Sequence, residues 1–430
     1  MKGQFNINDF LNINDIENQE QSNNQLNSQK KKTIIQNAIV TKTIYSGSLL
    51  SYFKNVGASL YYYFNHNTLY NENQSYLPVV FFDNKLNDIS KLKQSSIQIY
   101  NSILYITYRN SFFALTQGSY TSDVGWGCML RSCQMMLSKG IIERKKYKFK
   151  IANKSNDVYF MNLLKIRKET LQLMYDNYIS FHSILLHPDY KYFKYKFDSL
   201  GYNKRIESII GVFPPFSIHT ICDITESAGQ WISDIKMIRA FIDINKEFLN
   251  EEDGLLYFVN GSINLKQLLN TFCTDIPNLN PIFMNYKRKN YYHCKGGIIF
   301  ISLRLGLNTI NQENIKSFLS LFTKIRNNIG FVGGRNGKGY YFIGITNHSD
   351  LSQAKLLYLD PHSNQRAVDP ESDEGQSYCV KYIYVLDPKE LSSQLTFGIV
   401  INDMTDLRHF IEDIKALIKD KEYDYISYIE

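Results

Sequence analysis

Two short segments that lie far apart along the chain place the strongest constraint on its fold. Residues 122–131 contain Cys128 directly after a Gly-Trp-Gly turn, and residues 356–362 form an apolar run that ends in Asp360, a proline and His362. A thiol, an imidazole and a carboxylate are the groups that cysteine-based acyl transfer requires. If these groups act together, the fold has to bring the two segments to one place.

Apolar residues recur after Cys128 with the spacing of a helix. They are Met129, Cys133, Met136 and Leu137. This i, i+4, i+7, i+8 pattern is typical of one helix face, and the Gly-Trp-Gly turn before it cannot continue as a helix. Cys128 is therefore predicted at a helix N-terminus, where unpaired N–H groups and the positive end of the helix dipole favour a thiolate.

The C-terminal half alternates between predicted strands and helices. Strands are predicted at residues 297–303, 340–345, 355–359 and 380–386, and helices at residues 315–325 and 405–418. A polar loop joins the second and third strands into a hairpin. Because side chains at i and i+2 of a strand share a side, Asp360 and His362 are predicted to face one cleft. A nucleophile helix followed by mainly antiparallel strands predicts an α+β fold.

Each motif alone has an ordinary structural explanation, because a single cysteine is commonly a small buried hydrophobic residue and Asp-Pro-His commonly forms only a turn. The surroundings of both motifs, however, resemble those of the autophagins, the cysteine peptidases of autophagy that process ubiquitin-like modifiers. Residues 121–131 and 134–135 match the family pattern around the cysteine, and residues 358–362 and 365 match it around the histidine. Further matching segments, in the family's order, are residues 107–109, 217–219, 229–231, 303–307, 333–334, 341–344 and 386–388. These landmarks span residues 105–400.

The resemblance implies a role for five residues. Cys128 would be the nucleophile, His362 the general base and acid, and Asp360 the group that orients His362. Tyr108 matches a tyrosine that helps to stabilise the tetrahedral oxyanion beside the Cys128 backbone N–H. Trp231 matches a tryptophan that covers the entrance to the nucleophile, and such a narrow groove suits a substrate tail that ends in glycine.

The resemblance further implies a papain-like α+β fold with a small inserted subdomain, which we expect within residues 235–295. The implied activity is cleavage after the C-terminal glycine of a ubiquitin-like autophagy modifier and release of that modifier from phosphatidylethanolamine. The partner would be this modifier, as precursor and as lipid conjugate. Two alternatives stay open: a modifier-binding protein with impaired catalysis, and a peptidase for another ubiquitin-like protein.

The sequence departs from the family pattern at the predicted groove. Residues 232–234 are Ile-Ser-Asp where the family has an aromatic-Gly-Pro stretch, and residues 325–328, with Arg326, replace a proline-containing gating segment. The groove wall and its gating are therefore expected to differ from those of the family.

Composition divides the chain into a peptidase domain, predicted at residues 41–418, and two tails. Residues 1–40 are rich in Asn, Gln and Ser, which predicts a disordered tail. Residues 419–430 are predicted as a flexible C-terminal tail. Within it, Tyr423 and Ile426 resemble the aromatic-x-x-aliphatic motif that adds a strand to the modifier, and an uncommitted solvated terminus is the alternative.

A net charge of +7 over 430 residues is modest, and 44% hydrophobic residues indicate a folded, soluble protein. Two basic, aromatic stretches, residues 144–150 and 190–197, are interpreted as lysine-protected edge strand, with transient contact to a membrane surface as the alternative. We expect no nucleic-acid partner.

Six cysteines without paired spacing predict reduced thiols and a cytoplasmic location. No zinc-ligand spacing is present, so no metal and no other cofactor is expected. The chain begins without an apolar leader, and its most apolar run, residues 297–303, is too short to span a bilayer.

Overall fold

The computed structural model describes residues 79–81, 84–86, 103–115, 120–152, 156–176, 213–248, 254–274, 293–346, 349–368, 375–380, 383–419, 423 and 425–429. Its helices are Cys128–Ala152 (α1), Asn156–Gln172 (α2), Ile218–Thr225 (α3), Asp234–Phe248 (α4), Leu265–Phe272 (α5), Gln312–Lys324 (α6) and Met404–Lys419 (α7). Its strands are Val79–Phe81 (β1), Asn84–Leu86 (β2), Tyr108–Asn110 (β3), Leu255–Asn260 (β4), Ser262–Asn264 (β5), Cys273–Thr274 (β6), His293–Cys294 (β7), Gly297–Thr309 (β8), Asn328–Arg335 (β9), Lys338–Thr346 (β10), Leu356–Leu359 (β11), Asn364–Arg366 (β12), Tyr384–Leu386 (β13), Ser392–Ile401 (β14) and Ser427–Ile429 (β15).

One large mixed sheet organises these elements. Its strand order is β13-β11-β10-β9-β14-β8-β4, and the β1–β2 hairpin adds to β10. Neighbouring strands are antiparallel except for β4 and β8, which are parallel. Two short parallel pairs, β3 with β12 and β5 with β15, lie outside this sheet.

Both faces of the sheet are covered, which explains the uninterrupted apolar run in β8. Ile298 and Phe300 pack into a cluster that contains Met129 of α1. The alternate residues Ile299 and Ile301 pack on the other side with α6 and α7. A strand that is buried on both faces is apolar at successive positions, because alternate side chains point to opposite faces.

The predicted elements that surround the two motifs are present. The helix begins at Cys128, and β10 and β11 form an antiparallel hairpin. The two predicted C-terminal helices correspond to α7 and to α6, which ends one residue earlier than predicted, with Ile325 as its C-cap. The strand predicted at residues 380–386 is shorter, because only Tyr384–Leu386 pairs with β11. The parallel position of β4 beside β8 does not follow from any local pattern in the sequence.

A separate subdomain within residues 235–295 is not confirmed. The described residues of this range include α4, which packs against α1 and α3, and β4, which is a strand of the large sheet. Strand β4 pairs with β8 along its whole length, from Leu255 to Asn260, and is therefore part of the large sheet.

The edge-strand interpretation of residues 144–150 is wrong, because these residues continue α1. Their cations are used within the fold: Arg144 donates to the carbonyl oxygens of Lys295, Ile401 and Asn402, and Lys145 pairs with Glu169 at 3.2 Å. The second basic stretch, residues 190–197, and the predicted tail over residues 1–40 lie outside the described residues. Among the described residues, none of the helices combines the length and the apolarity that crossing a bilayer requires.

The C-terminal residues are docked on the protein. The side chains of Tyr423 and Ile426 are 2% and 3% exposed, and β15 pairs with β5. The Tyr423 hydroxyl hydrogen-bonds with Ser320 and accepts a 2.7 Å hydrogen bond from Lys324 Nζ. The prediction of a flexible tail over residues 419–430 is therefore wrong for the described residues 423 and 425–429. Burial of the two side chains against α6 and α7 favours the docked state, in which both are covered by the protein itself.

Replacing Tyr423 by alanine leaves a cavity and removes the hydroxyl that accepts a hydrogen bond from Lys324 Nζ, so we expect the free energy of unfolding to fall by about 3 kcal/mol. Urea denaturation followed by circular dichroism measures the change. Leu307→Ala is the control, because Leu307 is 81% exposed and its loss should change stability by less than about 0.5 kcal/mol. Equal urea midpoints for wild type and Tyr423→Ala would contradict the docked tail.

Candidate active site

Cys128 is the first residue of α1, and its side chain is buried. The Gly339 N–H of β10 donates a 3.3 Å hydrogen bond to its Sγ atom. A Cβ atom at position 339 would lie 2.9 Å from Met129 Cα and 3.0 Å from Met129 N. Glycine at this position therefore allows β10 to approach the start of the helix closely enough to donate to the sulfur.

Asp360 and His362 meet in the turn that follows β11. The Asp360 carboxylate accepts a 3.0 Å hydrogen bond from the His362 backbone N–H. Its Oδ1 atom is also hydrogen-bonded to Nδ1 of the His362 ring. Tyr105 donates a 2.6 Å hydrogen bond to the Asp360 carbonyl oxygen. The turn thus fixes the imidazole relative to the carboxylate through both its backbone and its ring.

The second ring nitrogen of His362 is available to Cys128. Its Nε2 atom is buried, and apart from Cys128 it has no hydrogen-bond partner within the described residues. The Cys128 thiol lies close enough that the two groups shift each other's pKa through hydrogen bonding and charge. Because Asp360 engages Nδ1, this interaction with the thiol uses Nε2.

The pKa values of the two groups move in opposite directions. Burial by itself would raise the pKa of the Cys128 thiol, but hydrogen bonds with His362 and the Gly339 N–H, the His362 charge and the Tyr108 hydroxyl lower it. Burial would lower the pKa of His362, but Asp360 and Cys128 raise it to about 9. The two groups titrate as a pair, and both shifts favour a thiolate beside an imidazolium near neutral pH.

Tyr108 lies on β3 beside the same pair. Its backbone N–H donates to the Pro361 carbonyl oxygen at 2.9 Å, and the edge of its ring packs against His362 with centroids 5.3 Å apart. Burial, followed by the charge of Cys128 and the hydrogen bond between them, raises the pKa of Tyr108 well above its ordinary value. The hydroxyl therefore keeps its proton and can act as a hydrogen-bond donor.

A buried charge network holds the turn before Cys128. Asp123 accepts hydrogen bonds from the Arg109 backbone N–H at 2.7 Å and from Arg131 Nε at 2.8 Å, and Arg131 also pairs with Asp176 at 2.8 Å. A Cβ atom at Gly127 would lie 2.1 Å from the Asp123 carboxylate, so only glycine fits there. Sequence reasoning noted Asp123 and Arg131 only as neighbours of the cysteine.

Sequence reasoning did not assign Gly339 or Asp176 to the site. Gly339 ends a glycine-rich stretch, residues 333–339, and Asp176 has no local signal. Gln365, which was noted only as a family landmark, donates a 3.0 Å hydrogen bond to the Thr107 hydroxyl and so connects the turn after His362 to the strand that carries Tyr108.

Trp231 lies three residues before the start of α4. Its side chain is 51% exposed, and within the described residues it makes no hydrogen bond or ring contact. Its role as a cover stays a prediction. The unusual residues that follow it are used in the fold: Ile232 is buried, and Asp234 accepts a 2.7 Å hydrogen bond from the Thr396 hydroxyl.

The loop over residues 325–328, which differs from the family's gating segment, is anchored to α7. Arg326 Nε donates to the Asp413 carboxylate of α7 at 3.0 Å. In the described part of the chain, no group of three or more His, Cys, Asp and Glu side chains is arranged to hold a metal ion.

Iodoacetamide should alkylate Cys128 faster than Cys133 and Cys222 near pH 7, since the pKa of Cys128 is lowered whereas burial raises the pKa of the other two thiols. His362→Ala removes the partner of the thiolate, so the pH profile of Cys128 alkylation should move to higher pH, with about a tenfold lower rate below the midpoint for each unit of pKa. Mass spectrometry of each cysteine peptide across pH measures this. An unchanged profile in His362→Ala would contradict the ion pair, and Cys133, on the same helix, is the internal control.

With this geometry established, comparisons with known proteins define the family. The sequence model of the peptidase C54 catalytic domain matches residues 93–413. The chain is similar to the cysteine protease ATG4A of Oryza sativa subsp. indica, with 25% identity over 340 residues, 75% of this chain and 62% of that protein. It is also similar to the cysteine protease ATG4B of Gallus gallus, with 26% identity over 331 residues, 74% of this chain and 75% of that protein.

The chain spans less than two thirds of the length of the rice relatives, 62% and 61% in two of them. The family match nevertheless covers most of the chain, and it contains both the segment of Cys128 and the segment of His362. The chain therefore belongs to the peptidase C54 family of cysteine proteases, the autophagins that its sequence resembles.

Proposed function

We propose that this protein is a cysteine peptidase that cleaves after the C-terminal glycine of a ubiquitin-like autophagy modifier and that releases the same modifier from phosphatidylethanolamine. The observation that carries the proposal is the chain of groups at the site. Asp360 bonds with Nδ1 of His362, and Nε2 of His362 is left for Cys128 at the start of α1. Family membership supports the same assignment.

The Cys128 thiolate would attack the carbonyl carbon of the substrate glycine, forming the C–S bond of a tetrahedral intermediate. The Tyr108 hydroxyl and the Cys128 backbone N–H would donate to the oxyanion, and each such donor typically contributes about 3 kcal/mol to transition-state stabilisation. Nε2 of the His362 imidazolium would then donate its proton to the leaving amine as the C–N bond breaks, and a thioester remains.

Water would resolve the thioester by the reverse set of roles. Neutral His362 removes a proton from the water as it attacks the carbonyl carbon, and the C–S bond breaks to return the Cys128 thiolate. Asp360 stabilises the imidazolium in both halves and keeps Nε2 directed at the sulfur. Free modifier then ends in a glycine carboxylate.

The precursor and the lipid conjugate share the same acyl group, the C-terminal glycine of the modifier, so one site can act on both. In a precursor the leaving amine belongs to the next residue of the chain, whereas in the conjugate it belongs to phosphatidylethanolamine. Both reactions pass through the same thioester with the modifier's glycine. The proposal includes a cytoplasmic location and transient contact with the membrane that carries the conjugate.

Cleavage of a panel of ubiquitin-like precursors by the full-length chain tests the function. We expect processing of an autophagy modifier only. Cys128→Ser should abolish cleavage but keep modifier binding, and His362→Ala or Asp360→Ala should lower kcat by at least about 100-fold. Cys133→Ser on the same helix is the matched control and should retain activity, with its folding checked by circular dichroism.

Each result of the panel separates the alternatives. Binding of the autophagy modifier without cleavage would establish an impaired modifier-binding protein, and preferential cleavage of another precursor would establish a different substrate. Incubation with modifier conjugated to phosphatidylethanolamine in vesicles tests release separately. If a sample that cleaves the precursor leaves the conjugate on the vesicles, the activity is restricted to precursors.

The pH dependence of kcat/KM should have an alkaline limb at about pH 9. The pKa of His362 is raised to about 9, so the imidazolium that protonates the leaving amine is present below that pH and is lost above it. Steady-state cleavage of the precursor between about pH 6 and pH 10 measures the limb. An activity that stays constant or rises across this limb would contradict His362 as the general acid.

A further inference from the structure

Cys273 and Cys294 face each other on two neighbouring strands, away from the site described above. Strands β6 and β7 are antiparallel, and their register places Cys273 directly opposite Cys294. None of the six cysteines forms a disulfide in the structure. The two thiols of this pair hydrogen-bond to each other.

The ladder around this pair places the two side chains at the closer of the two spacings found in antiparallel sheets. The Lys295 N–H donates to the Phe272 carbonyl oxygen at 2.9 Å, so the adjacent position is the hydrogen-bonded one. The Cys273 N–H instead donates to Leu269 in the last turn of α5. Residues opposite each other at a non-hydrogen-bonded position have Cα atoms about 4.5 Å apart, which lies within the range that a disulfide spans.

We propose that Cys273 and Cys294 are a redox-active thiol pair that forms a reversible intramolecular disulfide with a two-electron oxidant such as hydrogen peroxide. The bond would covalently join the end of α5 to β7, which leads into β8 of the large sheet. It is independent of the proposed peptidase function, because neither cysteine belongs to that site.

Cys294 is the thiol that reacts first. Its side chain is half-buried, whereas that of Cys273 is buried. The hydrogen bond with Cys273, the Gly296 N–H and the charge of Arg144 lower the pKa of Cys294 against the effect of burial, and the pKa of Cys273 is raised. Arg144 is held there by its 3.1 Å hydrogen bond to the Lys295 carbonyl oxygen.

The oxidation balances in two steps. The Cys294 thiolate attacks one oxygen of hydrogen peroxide, so that an S–O bond forms, the O–O bond breaks, and the departing hydroxide takes up a proton to become water. The Cys273 sulfur then attacks the sulfenic sulfur, so that the S–S bond forms and the S–O bond breaks. The departing hydroxide takes the Cys273 proton and becomes a second water, and the two sulfurs have lost two electrons to the peroxide.

The pair is well separated from the nucleophile. Arg144 stands on α1, about 24 Å along the helix axis from Cys128 at 1.5 Å per residue. A cross-link between Cys128 and either member of the pair is therefore excluded in the folded chain, because a disulfide needs Cα atoms less than about 7 Å apart.

The test uses full-length Cys128→Ser protein, so that the nucleophile does not consume the oxidant. After treatment with hydrogen peroxide and blocking of free thiols, non-reducing peptide mass spectrometry should find Cys273 joined to Cys294 within one chain, and dithiothreitol should restore both thiols. A cross-link that joins either cysteine to a different partner, or none at all, would overturn the proposal.

Two matched variants in the same background test the order of the steps. In Cys273→Ser the oxidised Cys294 has no partner, so dimedone should trap a sulfenic acid on Cys294. In Cys294→Ser, Cys273 should react at least about tenfold more slowly. Trapping of dimedone on Cys273 in preference to Cys294 would reverse the assignment. The cross-link in the parent protein does not depend on either variant and remains decisive if one of them fails to fold.

Discussion

The buried ion pairs of Arg131 are the interaction on which the rest of the site depends. The guanidinium has no solvent exposure and lies between the carboxylates of Asp123 and Asp176. Asp123 also accepts from the Arg109 backbone N–H, and its own carbonyl oxygen accepts from the Gly127 N–H at 2.9 Å. One cation thus connects the strand of Tyr108, the turn before Cys128 and the first turns of α1. Removing one member of such a set leaves a buried charge uncompensated, which typically costs about 3–5 kcal/mol.

With α1 and its preceding turn held in this way, two close approaches to Cys128 determine the chemistry of the site. The start of α1 presents Cys128 to β10, where the Gly339 N–H reaches the sulfur because no side chain separates the two backbones. On the same side, the turn after β11 presents His362 with Nδ1 already engaged by Asp360. Both approaches lower the free energy of the thiolate relative to the thiol, and they do so against the effect of burial. The site is therefore electrostatically prepared before any substrate arrives.

Local patterns in the sequence were informative where one periodicity or one turn decides an element. The Gly-Trp-Gly turn and the apolar spacing after it predicted the start of α1, and the polar loop between two apolar runs predicted the β10–β11 hairpin. Predictions failed where local composition and tertiary contacts favour different outcomes. Residues 144–150 look like a lysine-rich edge, but Arg144 reaches three carbonyl oxygens only as part of a helix. Tyr423 and Ile426 look like a free motif, but they fill space beside α6.

The sequence by itself determined the identity of the groups at the site, the helix that begins at Cys128, the strand that ends before Asp360, and the family. These features depend on residue types and short spacings, which are present in the chain before it folds. Only the tertiary structure decided that Gly339 donates to the sulfur, that Asp176 completes the pairing of Arg131, and that Cys273 lies opposite Cys294. Each of these contacts joins residues that are distant in sequence, and its existence depends on strand register and helix packing, which the packing of the whole core selects.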